Sequence, residues 1–101
     1  MIKNMYAILD IKAETYTDPM PDHTDGLAIR KFKDEAKRAD SMLNKHPEDY
    51  KLYNIGYYDT ANGKLHTNDF PVLISELSTR DTQNGESTNE IGNETPIQPN
   101  T

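Results

Sequence analysis

The hydrophobic residues of this chain fall into short periodic runs that stop almost completely after Leu77. From Met5 to Lys12, apolar side chains occupy both phases of a two-residue repeat. That pattern predicts a β-strand that is central in its sheet or partly covered on both faces. Pro19 and Pro21, with acidic turn-forming residues beside them, predict a loop over residues 13–23.

The next periodic run predicts one long helix from Asp25 to Lys45. Its apolar residues recur at intervals of three and four and form a single stripe, namely Ile29, Phe32, Ala36, Ala39 and Leu43. Thr24 or Asp25 can cap the start of this helix. Pro47 then ends it.

An aromatic strand and a hairpin follow the helix. Tyr50–Asp59 predicts a second strand, in which Gly56 marks a bulge or a close approach of another backbone. The two-residue period places three of its residues on one face: Tyr53, Ile55 and Tyr57. Asn62-Gly63 supplies the positive φ angles of a hairpin turn, and 64–67 returns as a third strand. Residues 71–77 form either a short helix, which we favour because Pro71 suits a first turn, or a final strand.

These elements predict an α+β fold with a single domain over residues 1–80. A small three-stranded sheet in β-α-β-β order would pack on one long helix, with a right-handed crossover if the first two strands are parallel. The polar residues 81–101 bury too little apolar surface to offset the entropy of ordering, which predicts a disordered acidic tail. A domain of this size buries only about 60–65% of its unfolded surface, and a homodimer would add to that burial.

The charge is unevenly placed along the chain. The net charge is −6, but every Lys and Arg lies in residues 1–80, where 11 bases face 13 acids. The absence of cysteine excludes disulfides and thiolate metal sites. We find no signal peptide and no apolar run of the roughly 20 residues that a membrane span needs. We therefore expect a protein of the cytoplasm with no membrane partner.

Two surfaces are candidates for nucleic-acid contact. Basic residues gather on the helix side roughly opposite the apolar stripe: Arg30, Lys33, Lys37 and Arg38. Such a face could bind phosphates, although a solvated helix face laced with acids has the same pattern. The tyrosines of the second strand could stack unpaired bases, chiefly Tyr53, Tyr57 and Tyr58. The alternative is that they pack under the helix or pair across strands.

Catalytic chemistry finds no support in the sequence. His23, His46 and His66 are far apart, and none has a partner at a spacing typical of metal ligands. No nucleophile stands near a base, and the run Gly56–Lys64 lacks the spacing of a phosphate-binding loop. We therefore expect no enzymatic activity, no metal and no cofactor.

The stretch from His46 to Leu65 resembles a known phage family. The residues that carry the resemblance are Pro47-Glu48-Asp49-Tyr50, Leu52-Tyr53, Ile55-Gly56, Asp59 and Asn62-Gly63-Lys64. With the strand MYAILDIKA, the loop and the charged helix before them, they are similar to the small nonstructural protein of gokushovirus-type microviruses. These bacteriophages carry single-stranded DNA genomes. The resemblance covers about residues 3–77.

The resemblance implies a protein made in the cytoplasm of the bacterial host and left out of the mature capsid. It implies DNA binding linked to viral DNA replication, in the synthesis of single-stranded genomes, or to genome packaging. Single-stranded DNA is then the expected partner. The net acidity of the chain favours an alternative, an adaptor that recruits host replication or phage assembly proteins without touching DNA.

Overall fold

A computed structural model describes residues 1–83, which form a curled antiparallel half-barrel sheet with one main helix. The strands are β1 (Ile2–Asp10), β2 (Thr15–Tyr16), β3 (Met20–Asp22), β4 (Tyr50–Asp59) and β5 (Lys64–Glu76). The helices are α1 (Asp25–Lys37) and the short α2 (Met42–Lys45), with 3₁₀ turns at Pro47–Asp49 and Thr79–Thr82. The predicted tail, residues 81–101, falls outside the described residues except for its first three positions.

The predicted β-α-β-β sheet packed on a long helix is wrong, because the sheet has five strands and every pairing in it is antiparallel. The order is β2-β1-β4-β5, and β3 also pairs with β1. Residues 13–23 were predicted to be a loop, but β2 and β3 lead the chain back along β1 until Asp22 lies opposite Asn4. The helix therefore starts beside the beginning of β1. The helical segment then leads the chain to the other end of β1, where β4 begins opposite Asp10 and runs antiparallel to β1.

The helix is shorter than the predicted span of Asp25–Lys45. Thr24 caps α1 by accepting a hydrogen bond from the Leu27 amide at 3.1 Å. After Lys37 the chain leaves the helix, and the Ser41 side chain caps α2 through the Leu43 amide. Ser and Asp side chains compete with helical backbone bonds, and Asp40-Ser41 stands at the break. Helical periodicity continues across residues 38–41 even though the helix does not.

The core lies between α1 and one face of the sheet. Its buried residues come from both layers and are Tyr6, Ala28, Phe32, Ala36, Leu43 and Leu52. The predicted stripe is thus confirmed at Phe32, Ala36 and Leu43, whereas Ala39 is exposed at the helix break. The Tyr6 hydroxyl donates to Asp25 Oδ1 at 2.6 Å and fixes the first turn of α1 on the sheet. Burial and the neighbouring Asp25 carboxylate raise the pKa of Tyr6.

The favoured helix over residues 71–77 is wrong, since the third strand continues through this segment to Glu76. Ser75 pairs with Leu52, and Ile74 packs against the core. Pro71 is compatible with a strand because β5 lies at the edge of the sheet.

Gly56 marks both a bulge and a close approach, which confirms the prediction for this residue. The register shifts around it on both sides of β4. Its φ is +151°, and a Cβ added there would lie 2.0 Å from the His66 carbonyl oxygen. Asn54 holds the bulge, because its Oδ1 accepts from the Gly56 amide and from Asn68 Nδ2, each at 3.0 Å.

Candidate nucleic-acid interface

One face of the sheet carries tyrosines and lysines and is not covered by α1. In the registers of β1 with its neighbours, Tyr53 opposes Ala7, Tyr16 opposes Leu9 and Tyr58 opposes Lys3. Residues directly opposite each other project from the same face, and alternation along β1 gives Lys3, Ala7 and Leu9 one face. We call this surface the open face. Its polar and aromatic members are Lys3, Tyr16, Lys51, Tyr53 and Tyr58, together with Thr67 and Glu76, which oppose Gly56 and Lys51.

Two tyrosines of the open face form a pair. The ring centroids of Tyr16 and Tyr53 lie 5.7 Å apart at an interplanar angle of 74°, an edge-to-face arrangement. Tyr16 is 44% exposed and Tyr53 is half-buried. The pair therefore presents ring surface to solvent while one ring supports the other, which is what a stacking platform for bases requires.

Lysines flank this pair. Lys51 lies two residues before Tyr53 on the same face of β4 and opposes Leu9 of β1. Its ammonium stands 3.9 Å from a Glu76 carboxylate oxygen, a long and exposed ion pair. Such pairs contribute little to stability, so Lys51 can exchange this partner for a phosphate. Lys3 lies at the other end of the face, opposite Tyr58.

Tyr57 is on the other face, although the sequence period placed it with Tyr53. The bulge at Gly56 adds one residue to β4 relative to β1 and reverses the phase of the strand. As a result Tyr53 and Tyr58 share a face, while Tyr57 opposes Asn4. Tyr57 stacks on His66 across the hairpin, with centroids 4.5 Å apart and an interplanar angle of 15°.

The four predicted basic residues, three in α1 and Arg38 at its C-cap, differ in how they are engaged. Lys33 is half-buried and pairs with Asp81 at 3.5 Å, while Arg38 contacts Glu35 at 3.0 Å and Asp40 at 3.4 Å. Partial burial alone would raise the pKa of Asp81. The hydrogen bond from the Ser78 amide and the charge of Lys33 outweigh that effect and lower the pKa. Arg30 and Lys37 are exposed and form no ion pair within residues 1–83.

The structure therefore does not unite the seven predicted contact residues in one site. The α1 residues and Tyr53 lie on opposite sides of the sheet, because the helix packs on the face formed by Tyr6 and Leu52. Sequence reasoning missed Tyr16, Lys3 and Lys51. Lys3 could have been found by extending the alternation of Met5, Ala7 and Leu9 by one step. Tyr16 was hidden in a segment that its two prolines predicted to be a loop.

A cluster of possible metal ligands occurs at the turn before β4. Ligand atoms of His46, Glu48 and Asp49 lie within 4.8 Å of one another, with His46 and Glu48 exposed. The sequence predicted no metal, and Glu48 and Asp49 belong to the 3₁₀ turn that begins at Pro47. Exposed acidic groups commonly gather without an ion, so we assign no site to the cluster. Among the described residues, no helix has the length and apolar character to cross a membrane.

Comparisons with known proteins identify the family. Residues 3–80 match a family described as "Phage ORF5 protein". The chain is also 37% identical over 72 residues to Protein ORF5 of Chlamydia phage 1, which covers 67% of this chain and 75% of that protein. No solved structure shows significant similarity. The expected kinship with a small phage protein is thus confirmed, and this chain belongs to the phage ORF5 protein family.

Proposed function

We propose that the protein is a nonstructural phage protein that binds single-stranded DNA through its open face. The observation that carries the proposal is the Tyr16–Tyr53 pair on the uncovered face of the sheet, with Lys51 beside it. Bases stack on exposed aromatic rings without regard to sequence, and lysines bind the phosphates between them. We expect Tyr16 and Tyr53 to stack neighbouring bases and Lys3 and Lys51 to contact the backbone.

The proposal gives the protein a role in single-stranded genome synthesis or packaging, acting by binding and not by catalysis. It would work in the cytoplasm of the infected bacterium and remain outside the mature capsid. Two lysines on the binding surface suit a protein that must release the DNA again, because few phosphate contacts give weak, salt-sensitive binding. The net charge of −6 keeps such binding weak, because the open face carries Lys3 and Lys51 together with the acidic Glu76.

Salt dependence separates the open face from the basic side of α1. For single strands the slope of log K against log salt is about −0.7 per phosphate neutralised. Two lysines predict a slope of about −1.4, or about a sevenfold loss between 50 and 200 mM salt. The four predicted residues Arg30, Lys33, Lys37 and Arg38 would give about −2.8, or about a fiftyfold loss. Fluorescence anisotropy of a labelled oligothymidine, titrated with the full chain at several salt concentrations, measures the slope.

Matched tyrosine variants locate the contact. Loss of one stacked base costs about 1–3 kcal/mol, which is about a 5- to 150-fold increase in Kd. We expect Tyr53→Ala and Tyr16→Ala to weaken binding within this range, whereas Tyr53→Phe, which keeps the ring, binds as the wild type does. Tyr57→Ala serves as the control on the opposite face and should leave Kd unchanged. Equal losses in Tyr53→Ala and Tyr53→Phe, or a loss only in Tyr57→Ala, would contradict this assignment.

The adaptor function is a second candidate, which the exposed apolar side chains near the hairpin favour. Leu65 and Phe70 are 58% and 79% exposed, and large exposed apolar side chains commonly mark protein contacts. The two functions differ in one result. A protein that binds no single-stranded DNA at low salt, yet retains a host protein after nuclease treatment and loses it in Phe70→Asp, acts as an adaptor.

A further inference from the structure

The described part of the chain ends against the helical side of the domain, beside a lysine of α1. In the last 3₁₀ turn, Asp81 pairs with Lys33 at 3.5 Å. The same turn is held by Asn44, whose Nδ2 donates to the Thr82 carbonyl oxygen at 2.8 Å. Gln83 follows and is exposed. The segment after residue 83 therefore starts next to α1, on the side of the sheet away from the open face.

Three basic residues of α1 share one side of the helix, which we call the basic face: Arg30, Lys33 and Lys37. At 3.6 residues per turn they fall within about 60° of one another, roughly opposite the buried Phe32. Arg30 and Lys37 are exposed, and neither forms an ion pair within residues 1–83. Asp34 lies on the same side and is likewise outside the ion pairs of these residues. The basic face therefore has two cations available to an acidic partner.

The segment that follows carries the complementary charge. Residues 84–101 include no Lys or Arg and three acids at intervals of four: Glu86, Glu90 and Glu94. Glu86 lies five residues after Asp81, a span of up to about 17 Å when extended. Arg30 and Lys37 lie within about 6 Å of Lys33 along the helix axis. Because the segment is tethered, its effective concentration at α1 is on the order of millimolar, which favours exposed ion pairs that are weak one by one.

We propose that the acidic segment 84–94 binds the basic face of α1 in the same chain. The pair of Asp81 with Lys33 is the first contact of this kind, and the glutamates extend it to Arg30 and Lys37. The contact neutralises the basic face and keeps nucleic acid away from α1. The proposal does not rest on the proposed function, because these ion pairs form without DNA.

A spin label on the acidic segment measures the contact in the absence of DNA. The chain has no cysteine, so Ser87→Cys provides a single attachment site beside Glu86. In ¹⁵N NMR spectra of the full chain at low salt, we expect the nitroxide to broaden the amide signals along α1, most strongly around Arg30 and Lys37. The signals should recover in about 1 M salt, where the screening length falls to about 3 Å.

Charge-reversal variants distinguish binding from the proximity that the tether itself imposes. In the labelled chain, Arg30→Glu/Lys37→Glu should remove most of the broadening along α1, because the segment then meets like charge. The matched control is Lys12→Glu/Lys64→Glu, which changes the net charge equally at two exposed lysines outside the helix. It should leave the broadening unchanged. Equal broadening in both variants and the parent protein would overturn the proposal.

Neutralising the segment should open α1 to DNA. The test variant replaces the three acids of the segment with their amides: Glu86→Gln, Glu90→Gln and Glu94→Gln. Arg30 and Lys37 then add two phosphate contacts to those of Lys3 and Lys51. The slope of log K against log salt for oligothymidine should change from about −1.4 to about −2.8. The control variant removes the same charge from three exposed acids of the domain, and its slope should stay at the wild-type value: Glu14→Gln, Asp18→Asn and Asp69→Asn.

An equally steep slope in the test and control variants would overturn the proposal, because net charge alone would then explain it. The two proposals fail separately. A wild-type chain that binds no single-stranded DNA refutes the proposed function, and the spin label still decides whether the segment binds α1. Signals along α1 that the nitroxide does not broaden refute the contact, whatever the open face binds.

Discussion

Replacing Gly56 with alanine tests the close approach of the β5 backbone to the bulge in β4. An added Cβ would lie 2.0 Å from the His66 carbonyl oxygen and 2.9 Å from the Thr67 Cα. Both atoms are backbone, so no side chain can rotate away to make room. To reach the 3.4 Å of ordinary contact, the His66 carbonyl must retreat by about 1.4 Å (3.4 − 2.0). That shift would separate β5 from β4 at the pair of Gly56 with Thr67.

Two terms set the size of the effect. A non-glycine residue at φ +151° carries backbone strain of about 1–3 kcal/mol. Overpacking against a fixed backbone adds about 1–3 kcal/mol. We therefore expect Gly56→Ala to lower the free energy of unfolding by about 2–6 kcal/mol, a large share of the stability of a small domain. Amide exchange over residues 57–73 of the β4–β5 hairpin should also accelerate.

Gly26→Ala is the matched control for this experiment. Gly26 lies in the first turn of α1 without a positive φ, and the nearest atom to an added Cβ is Thr24 Oγ1 at 3.9 Å. The same chemical change there should be neutral or stabilise by up to about 1 kcal/mol. Urea denaturation followed by circular dichroism measures both variants. If the free energy of unfolding of Gly56→Ala lies within 0.5 kcal/mol of that of the control, on the order of experimental error, the close approach of β5 to Gly56 is wrong.

Two further predictions concern the packing of α1. Burial and Asp25 raise the pKa of Tyr6, so the folded state holds the phenol proton more tightly than the unfolded state does. The stability that this proton contributes is complete below about pH 10 and is lost as the pH rises. Tyr6→Phe should flatten this alkaline loss in pH-dependent denaturation and cost about 1–2 kcal/mol at neutral pH for the missing hydrogen bond; an unchanged alkaline slope would refute it. Asn44 donates to the carbonyls of Ala36 and Thr82 at 2.8 Å each, and Asn44→Ala should cost about 1–3 kcal/mol and speed amide exchange at Thr82 more than at Leu52.

The sequence predicted local elements well where periodicity and turn chemistry agree. The strand Tyr50–Asp59 has the predicted bounds. The turn at Asn62-Gly63 lies where it was expected, but of its two residues only Gly63 has the predicted positive φ, at +74°, and Asn62 does not. These features depend on neighbours in the chain, so a single sequence contains the information.

The order and direction of the strands could not be predicted from these local patterns. Two short strands in a proline-containing segment reverse the chain beside β1, and that reversal makes β4 antiparallel instead of parallel. No local pattern indicates it, because edge pairings of two and three residues are stabilised by the strand they join. The extension of β5 through Pro71 likewise depends on β4 as a partner.

The candidate site shows the same division between local and tertiary information. Tyr53 and Tyr58 were predicted as contacts and do lie on the open face. Their relation to Tyr57 changed because one bulge reverses the phase of a strand. Lys33 and Arg38 proved to be engaged with acids, one of them, Asp81, far along the chain. Exposure of a charge can be read from a helical pattern, but its ion pairs depend on the fold.

The most direct test of the open face is a ¹⁵N NMR titration of the full chain with oligothymidine at low salt. We expect the largest amide shifts at Ala7, Leu9 and Tyr53 and on neighbouring residues of the same face, with small shifts along α1. Shifts concentrated at Arg30 and Lys37, with Tyr53 unchanged, would contradict the account.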